Sequence, residues 1–242
     1  AFRAYFTRTD EPAAVSAYAH QTPDDLKLLA AICCYEIFLR SYVIGLSYAG
    51  SPYAFHSIGS TMACSADGYT DVRGMNRRGA AEDFHFLNKL AKIGKIGTMT
   101  ETTVFPSSRP SGRVPFGTGR SMLRFLTGGA DQYLLYDSRI FVILKEWLVV
   151  MEADPDRDPG TILNGAKSIH ARLDEYLRLS RFAEDWTVIR KNCRDAGHLR
   201  RQFHVWFDGL KTLKLVHHLN RSDFPSVPLF DVLDLLAHLL DH

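Results

Sequence analysis

The chain has 242 residues, of which 46% are hydrophobic and 23% charged, and its formal net charge is +2. This length fits one large domain or two small ones and is sufficient to bury a sizeable core. The composition excludes a disordered, collagen-like or disulfide-rich chain, and the small positive charge argues against a nucleic-acid binder. The four cysteines, at positions 33, 34, 64 and 193, form no CxxC pair, which argues against a zinc site or a disulfide framework.

The first predicted element is a long helix from about Thr22 to Tyr48, with Gly50 suited to the position just after its end. Three charged residues interrupt its apolar run: Lys27, Glu36 and Arg40. Because of these charges, the pattern indicates a buried helix of a soluble protein and no transmembrane segment. We expect a cytoplasmic protein, or one that is peripheral to a membrane.

A small α/β section is predicted next. It comprises a strand over Ile58 to Ser65, a helix over Ala66 to Val72, a glycine-containing loop over 74–81, a helix over Glu82 to Lys92 and a strand over Ile96 to Phe105. Two strands alone do not make a stable sheet. Either further strands come from segments without a strand pattern, or the rest of the sheet lies outside this chain.

From Ser121 onward the pattern is mainly helical. Helices are predicted over Ser138 to Met151, Ile169 to Leu179, Ala183 to Asp195, Leu199 to His218 and Leu229 to Leu240, with a linker over Asp154 to Gly160. The predicted organisation is an N-terminal helical segment (1–56), a partial α/β section (57–120) and a helical domain (121–242). The predicted fold class is α+β, mainly α.

The segment GMNRRGAAEDFHFLNKLAK, residues 74–92, has the clearest chemical content. It places the carboxylates of Glu82 and Asp83 at a helix N-terminus, next to a loop that carries Arg77 and Arg78. Acidic residues in a first turn are favoured by the helix dipole, so one interpretation is helix capping. The other is a carboxylate held as a general base, which takes a proton from an attacking hydroxyl.

The order of features in SIGSTMACSADGYTDVRGMNRRGAAEDFHFLNKLAKIG, residues 57–94, resembles the family 2 glycosyltransferases of the GT-A fold. The resemblance implies inverting sugar transfer from a nucleotide-sugar, with Asp83 as the catalytic base and Glu82 as its first-turn neighbour. It also implies that Arg77, Arg78 and Ser60 lie near the acceptor.

A second segment, SSRPSGRVPFGTGR at residues 107–120, is basic and rich in glycine. Arginine suits bidentate phosphate recognition, and glycine allows a backbone to approach a ligand closely. The resemblance places the donor diphosphate near the following residues: Arg109, Arg113, Gly117, Thr118 and Gly119. A solvated surface loop is the alternative interpretation of the same segment.

One feature departs from the family pattern. No Asp-x-Asp sequence precedes Asp83, and such a motif holds the divalent metal in the family. We therefore assign no metal ligand in this chain and expect Mg²⁺ or Mn²⁺ only together with a donor-binding half. The sequence predicts the C-terminal portion of a glycosyltransferase, inactive alone, whose partners are a nucleotide-sugar and an acceptor. The alternative is a helical protein-interaction module without catalysis.

Overall fold

The computed structural model describes residues 1–76, 80–128, 134–229 and 231. The chain forms two compact units, one of residues 1–43 and 55–134, the other of residues 44–54 and 135–242. Helices predominate over small sheets in the described residues, so the α+β, mainly α class is confirmed. The predicted division at residues 56/57 and 120/121 differs from these units, because residues from before position 57 enter both of them.

The first unit contains a three-stranded sheet with helices around it. Its elements are α1 (Phe2–Phe6), β1 (Ala13–Tyr18), the part of α2 (Leu26–Tyr48) before residue 44, β2 (Met62–Cys64), α3 (Ala66–Asp71), α4 (Glu82–Leu90), β3 (Ile96–Val104) and α5 (Thr118–Leu126). The strand order is β2-β1-β3, with β1 antiparallel to β2 and parallel to β3. Apolar side chains of α4 and β1, including Val15, Leu87 and Leu90, form one core cluster of this unit.

The central strand β1 was not predicted, since the sequence indicated no strand before residue 57. Its register pairs Ala13 with Cys64 of β2 and with Ile96 of β3. The segment Ala13–Tyr18 is almost wholly buried, so it lacks the polar alternation that marks a half-exposed strand. The strand predicted over Ile58 to Ser65 is also shorter than expected, because a 3-10 turn, Gly59–Thr61, precedes β2.

Helix α2 begins later than predicted. The carboxylate of Asp25, rather than Thr22, accepts hydrogen bonds from the first-turn N–H groups of Lys27 and Leu28, at 2.8 and 2.9 Å. Among the described helices, only α2 is long and apolar enough to cross a membrane, with a mean hydropathy of 1.6 over its most apolar window. Core helices and signal sequences have the same properties. In this structure 22% of that window is buried, so most of the helix is less buried than the sequence predicts.

The second unit is helical. Its elements are β4 (Leu134–Leu135), α6 (Arg139–Ala153), α7 (Pro159–Ile169), α8 (Ala171–Leu179), α9 (Phe182–Asn192), α10 (Ala196–Trp206), α11 (Gly209–Ser222) and β5 (Val227–Pro228), which pairs with β4. The helix predicted over Leu199 to His218 is two helices, because Asp208 caps a new one. The helix predicted over Leu229 to Leu240 lies outside the described residues except for 229 and 231.

Buried aromatic rings form the core of the second unit. Trp147 packs edge-on against Phe182, Phe203 and Phe207, with ring centroids 5.6 to 6.1 Å apart. Trp186 stacks on Phe182 and donates its indole N–H to the Pro155 carbonyl at 3.1 Å. Each large ring removes substantial apolar area from water, so this cluster holds α6, α9 and α10 together.

Candidate functional site

Asp83 lies in the first turn of α4, with its carboxylate facing the turn that begins at Gly59. The carboxylate accepts hydrogen bonds from the backbone N–H of Phe84, at 2.7 Å, and from the backbone N–H of Gly59. A Cβ atom on Gly59 would lie 3.4 Å from the Asp83 Oδ2 atom, so any side chain there would crowd the carboxylate. Two backbone donors on separate elements therefore fix the position of this carboxylate.

The environment of Asp83 makes it a better base. Burial raises its pKa above the usual value, and the neighbouring charge of Glu82 acts in the same direction. The hydrogen bonds from the backbone N–H groups of Phe84 and Gly59 oppose this shift, since they stabilise the charged form. Asp83 is half-buried, whereas Glu82 is exposed. Of the two carboxylates, Asp83 is the one whose surroundings suit proton abstraction.

The turn Gly117–Thr118–Gly119 opens α5. Gly117 has a φ of 89°, which L residues with side chains rarely adopt. Gly119 packs closely against Ser111, because a Cβ on Gly119 would lie 2.6 Å from the Ser111 Cβ. The two glycines shape the turn, one by its conformation and the other by this close approach. No side chain caps the start of α5, so its first N–H groups are available to an anion.

The side chain of Thr118 contacts a buried histidine that the sequence did not single out. Thr118 Oγ1 lies 3.1 Å from His20 Nε2, and Thr118 also hydrogen-bonds the hydroxyl of Tyr35. On the other side of the ring, His20 Nδ1 lies 2.8 Å from Glu36 Oε1. The His20 side chain is 1% exposed. A hydroxyl, an imidazole and a carboxylate thus form one hydrogen-bonded series, the Thr118–His20–Glu36 series.

Glu36 is the ionised end of this series. Burial alone would raise its pKa, but hydrogen bonds from the His20 backbone N–H, from Arg40 and from the His20 ring outweigh burial and lower that pKa. Arg40 Nη2 donates to Glu36 Oε2 at 2.9 Å. In a neutral imidazole, the carboxylate keeps the proton on Nδ1, so Nε2 accepts the hydroxyl proton of Thr118.

Tyr35 joins this series to Asp83. Burial raises the pKa of the Tyr35 hydroxyl, the hydrogen bond with Thr118 lowers it, and the charge of Asp83 raises it again. An electrostatic effect of this kind requires proximity. The Tyr35 hydroxyl is thus affected both by Thr118, through a hydrogen bond, and by the charge of Asp83, although these two residues are distant in sequence.

The two arginines predicted to bind the diphosphate lie on the surface before α5. Arg109 and Arg113 are exposed. Their backbone N–H groups donate to Ser107 Oγ and Ser111 Oγ, at 3.4 and 3.3 Å, which shapes the loop locally. No ion pair holds either guanidinium group within the described part of the chain. Both groups are therefore open to an anion, and the surface-loop interpretation fits the same geometry.

The residues predicted to lie near the acceptor divide into two groups. Ser60 is exposed in the 3-10 turn, next to Gly59, whose N–H bonds Asp83. Ser60 is therefore the sequence neighbour of a residue that bonds the Asp83 carboxylate. Arg77 and Arg78 lie outside the described residues.

A metal site does not fit the residues that the structure describes. Among them, no three His, Cys, Asp or Glu side chains come close enough together to hold a metal ion. The Mg²⁺ or Mn²⁺ that the resemblance implies therefore stays an expectation for a donor-binding half.

Comparison of the chain with protein-family models, with curated proteins and with solved structures found no match in any of the three. Any assignment of function therefore rests on the motif resemblance and on the geometry around Asp83.

Proposed function

We propose that this chain is the acceptor-side portion of an inverting, nucleotide-sugar-dependent glycosyltransferase of family 2, with a partial GT-A-like section and Asp83 as the general base. One observation carries the proposal: the Tyr35 hydroxyl is hydrogen-bonded by Thr118 of the Gly117–Thr118–Gly119 turn, and its pKa is also raised by the charge of Asp83. The resemblance assigns these two motifs to acceptor deprotonation and to the donor diphosphate. Sugar transfer requires those two functions in one place.

The proposed reaction uses Asp83 to activate the acceptor. Its carboxylate takes the hydroxyl proton while the acceptor oxygen attacks the anomeric carbon. The bond from that carbon to the diphosphate oxygen breaks on the opposite side, and the configuration inverts. The backbone N–H groups of Phe84 and Gly59 keep the carboxylate in position. In this reaction the exposed hydroxyl of Ser60, next to Gly59, orients the acceptor.

The leaving nucleoside diphosphate gains negative charge in the transition state, and positive groups fixed beforehand stabilise it. The uncapped start of α5 and the exposed guanidinium groups of Arg109 and Arg113 supply such groups. The Thr118 hydroxyl is already bonded to His20 and Tyr35. We therefore assign Thr118 to holding the turn, and the phosphate contacts to backbone N–H groups of the turn.

The decisive variant is Asp83→Asn in the natural full-length protein, tested with a panel of nucleotide-sugars. Losing a general base slows turnover by roughly 10² to 10⁴-fold. We expect the release of nucleoside diphosphate to fall by at least that lower factor, while nucleotide-sugar binding is unchanged. The matched control is Asp67→Asn, which removes an exposed carboxylate from the first turn of α3. Wild-type turnover in Asp83→Asn would disprove the assignment.

A calorimetric titration of this chain with UDP and GDP, with and without Mn²⁺, tests where the donor binds. No Asp-x-Asp precedes Asp83, so we expect no metal-dependent binding by the chain alone. Metal-dependent binding would place a complete nucleotide site within this chain. If the full-length protein transfers no sugar and the second unit captures a partner protein, the interaction-module alternative replaces the proposal.

A further inference from the structure

The second unit contains an open cleft between α8 and α11, with a volume of about 870 Å³. Clefts of about 300 to 1,000 Å³ are typical of small-molecule sites. Its lining comes from residues 172–180 and 208–222, so it is separate from the Asp83 site of the first unit.

Three cations of α11 line this cleft: Lys211, Lys214 and Arg221. Lys211 and Lys214 are three residues apart, a spacing that places them on one helix face. No ion pair to any of the three exists among residues 1–76, 80–128, 134–229 and 231. Lys211 Nζ lies 4.6 Å from the centre of the Trp206 ring, a contact that leaves its charge uncompensated.

The acidic groups beside the cleft are already engaged. Glu175 and Asp223 both accept hydrogen bonds from Arg172, at 2.8 and 3.1 Å. Asp208 caps α11 and accepts from two first-turn N–H groups, at 3.1 and 3.0 Å. Arg172 offsets one of the two carboxylates that it bonds, and the Asp208 charge lies at the favourable end of the helix dipole. The lining therefore keeps a net positive charge, since four cations (Arg172, Lys211, Lys214 and Arg221) face two carboxylates (Glu175 and Asp208).

The rest of the cleft offers flat rings. Tyr176 and His218 line it, with ring centroids 5.8 Å apart and planes tilted by 44°. His217 bonds the Tyr136 hydroxyl at 2.8 Å, and burial, followed by the charge of Arg221, lowers its pKa. His217 is therefore neutral at pH 7 and leaves the phosphate to the lysines and Arg221. Rings of this kind pack against the faces of sugars or bases.

We propose that this cleft binds a small phosphate-bearing ligand, of sugar-phosphate or nucleotide size. Lys211, Lys214 and Arg221 hold the phosphate, and the ring of His218, which packs against the largely buried Tyr176, contacts the organic part. A soluble phosphate ester and a phospholipid headgroup both present this chemistry. The proposal does not depend on the glycosyltransferase assignment.

The test is calorimetric titration of the chain with inorganic pyrophosphate, for the wild type and for Lys214→Ala/Arg221→Ala. Both side chains are exposed, so their loss leaves the fold intact, as circular dichroism would verify. We expect binding to weaken about 100-fold, at roughly tenfold for each lost charged hydrogen bond. The matched control is Lys191→Ala/Arg201→Ala, which removes two exposed cations of the same unit outside the cleft. This control should bind like the wild type.

Sedimentation with phosphatidylcholine vesicles, with and without phosphatidic acid, identifies the source of the phosphate. Binding to phosphatidic acid that the cleft variant loses assigns the site to a headgroup. Pyrophosphate binding without vesicle binding assigns it to a soluble ester. Either result supports the cleft. A wild type that binds neither probe, or an equal loss in the cleft variant and the control, would overturn the proposal.

Discussion

Replacing Thr118 by valine removes one hydroxyl with little change of shape, so this variant isolates the hydrogen bonds at the start of α5. In the native unit, that hydroxyl lies 3.1 Å from His20 Nε2 and bonds the Tyr35 hydroxyl. Valine leaves both without this partner. The His20 ring cannot turn to water, because its side chain is 1% exposed and Glu36 holds its Nδ1.

The expected cost follows from this burial. Leaving a buried polar group unsatisfied costs about 1 to 3 kcal/mol. The penalty applies in full to His20 and only in part to Tyr35, which is less buried. We expect Thr118→Val to lower the free energy of unfolding of the first unit by about 2 kcal/mol. Thr118→Ser keeps the hydroxyl and loses one methyl group, so its cost is about 0.8 kcal/mol.

The assay must report on the first unit. All three tryptophans, Trp147, Trp186 and Trp206, belong to the second unit, so tryptophan fluorescence follows the wrong part of the chain. Hydrogen exchange of the β1 amides, read by mass spectrometry, follows the first unit. A loss of about 2 kcal/mol corresponds to roughly 30-fold faster exchange through cooperative opening.

Thr127→Val provides the control. Thr127 is exposed at the end of α5, and its hydroxyl donates to the Leu123 carbonyl at 3.1 Å. Exposed substitutions of this kind change stability by about 0.5 kcal/mol or less. If β1 amides exchange no faster in Thr118→Val than in Thr127→Val, the Thr118–His20–Glu36 series does not stabilise the unit.

Two further predictions concern stability. A Cβ on Gly45 would lie 2.5 Å from the Phe141 ring, whereas a Cβ on Gly165, inside α7, would meet nothing within 4 Å. In thermal unfolding, Gly45→Ala should therefore destabilise by about 1 to 3 kcal/mol, while Gly165→Ala should stabilise by about 0.5 to 1 kcal/mol; the same sign for both would contradict the packing. Burial, reinforced by Arg40, lowers the pKa of His56 from 6.5 to about 4. The unfolded chain then binds the proton more readily, so stability is lost as pH falls from 6.5 towards 4. In urea unfolding at pH 7 and pH 5, the wild type should lose more stability than His56→Gln, and equal losses would refute this.

Local signals located several elements of the fold. The helix predicted over Ala66 to Val72 is α3, Ala66–Asp71, where the Ser65 hydroxyl accepts from the Gly68 N–H at 3.0 Å. The helix predicted from Glu82 is α4, which begins at that residue. Caps and first-turn acids act within a few residues, so a sequence displays them completely.

The boundary between α10 and α11 could not be predicted from local signals, because the apolar periodicity and a turn signal conflict there. Apolar periodicity continues from Leu199 to His218 and predicts one helix. The chain leaves the helix at Phe207, and the Asp208 carboxylate caps α11. Asp208-Gly209 is a turn signal, which the longer periodic pattern outweighed in the prediction. Similarly, Asp158 and Pro159 begin α7 as cap and first residue, although the surrounding acidic and proline residues indicated a linker.

The candidate site shows the same division. Asp83 stands out because its signal is a local helix start. His20 does not, since its partner Thr118 is 98 residues away along the chain. The sequence indicates the site of His20 only indirectly. Glu36 and Arg40, four residues apart, are charged residues on an apolar helix. Such residues are seldom buried without partners. The pattern could indicate that a partner exists, but not which residue it is.

If the Gly117–Thr118–Gly119 turn binds phosphate as proposed, the position of Thr118 gives a reason for the buried Thr118–His20–Glu36 series beside it. The Thr118 hydroxyl is already engaged, since it lies 3.1 Å from His20 Nε2 and hydrogen-bonds Tyr35. The proposed diphosphate contacts then come from the backbone N–H groups at the start of α5, whose direction depends on how the turn is held. Donors that are fixed before the reaction stabilise developing charge without reorganising during it. Burying Glu36 and His20 has a desolvation cost. In return, the hydrogen bonds of the Thr118–His20–Glu36 series would hold this turn in a precise orientation.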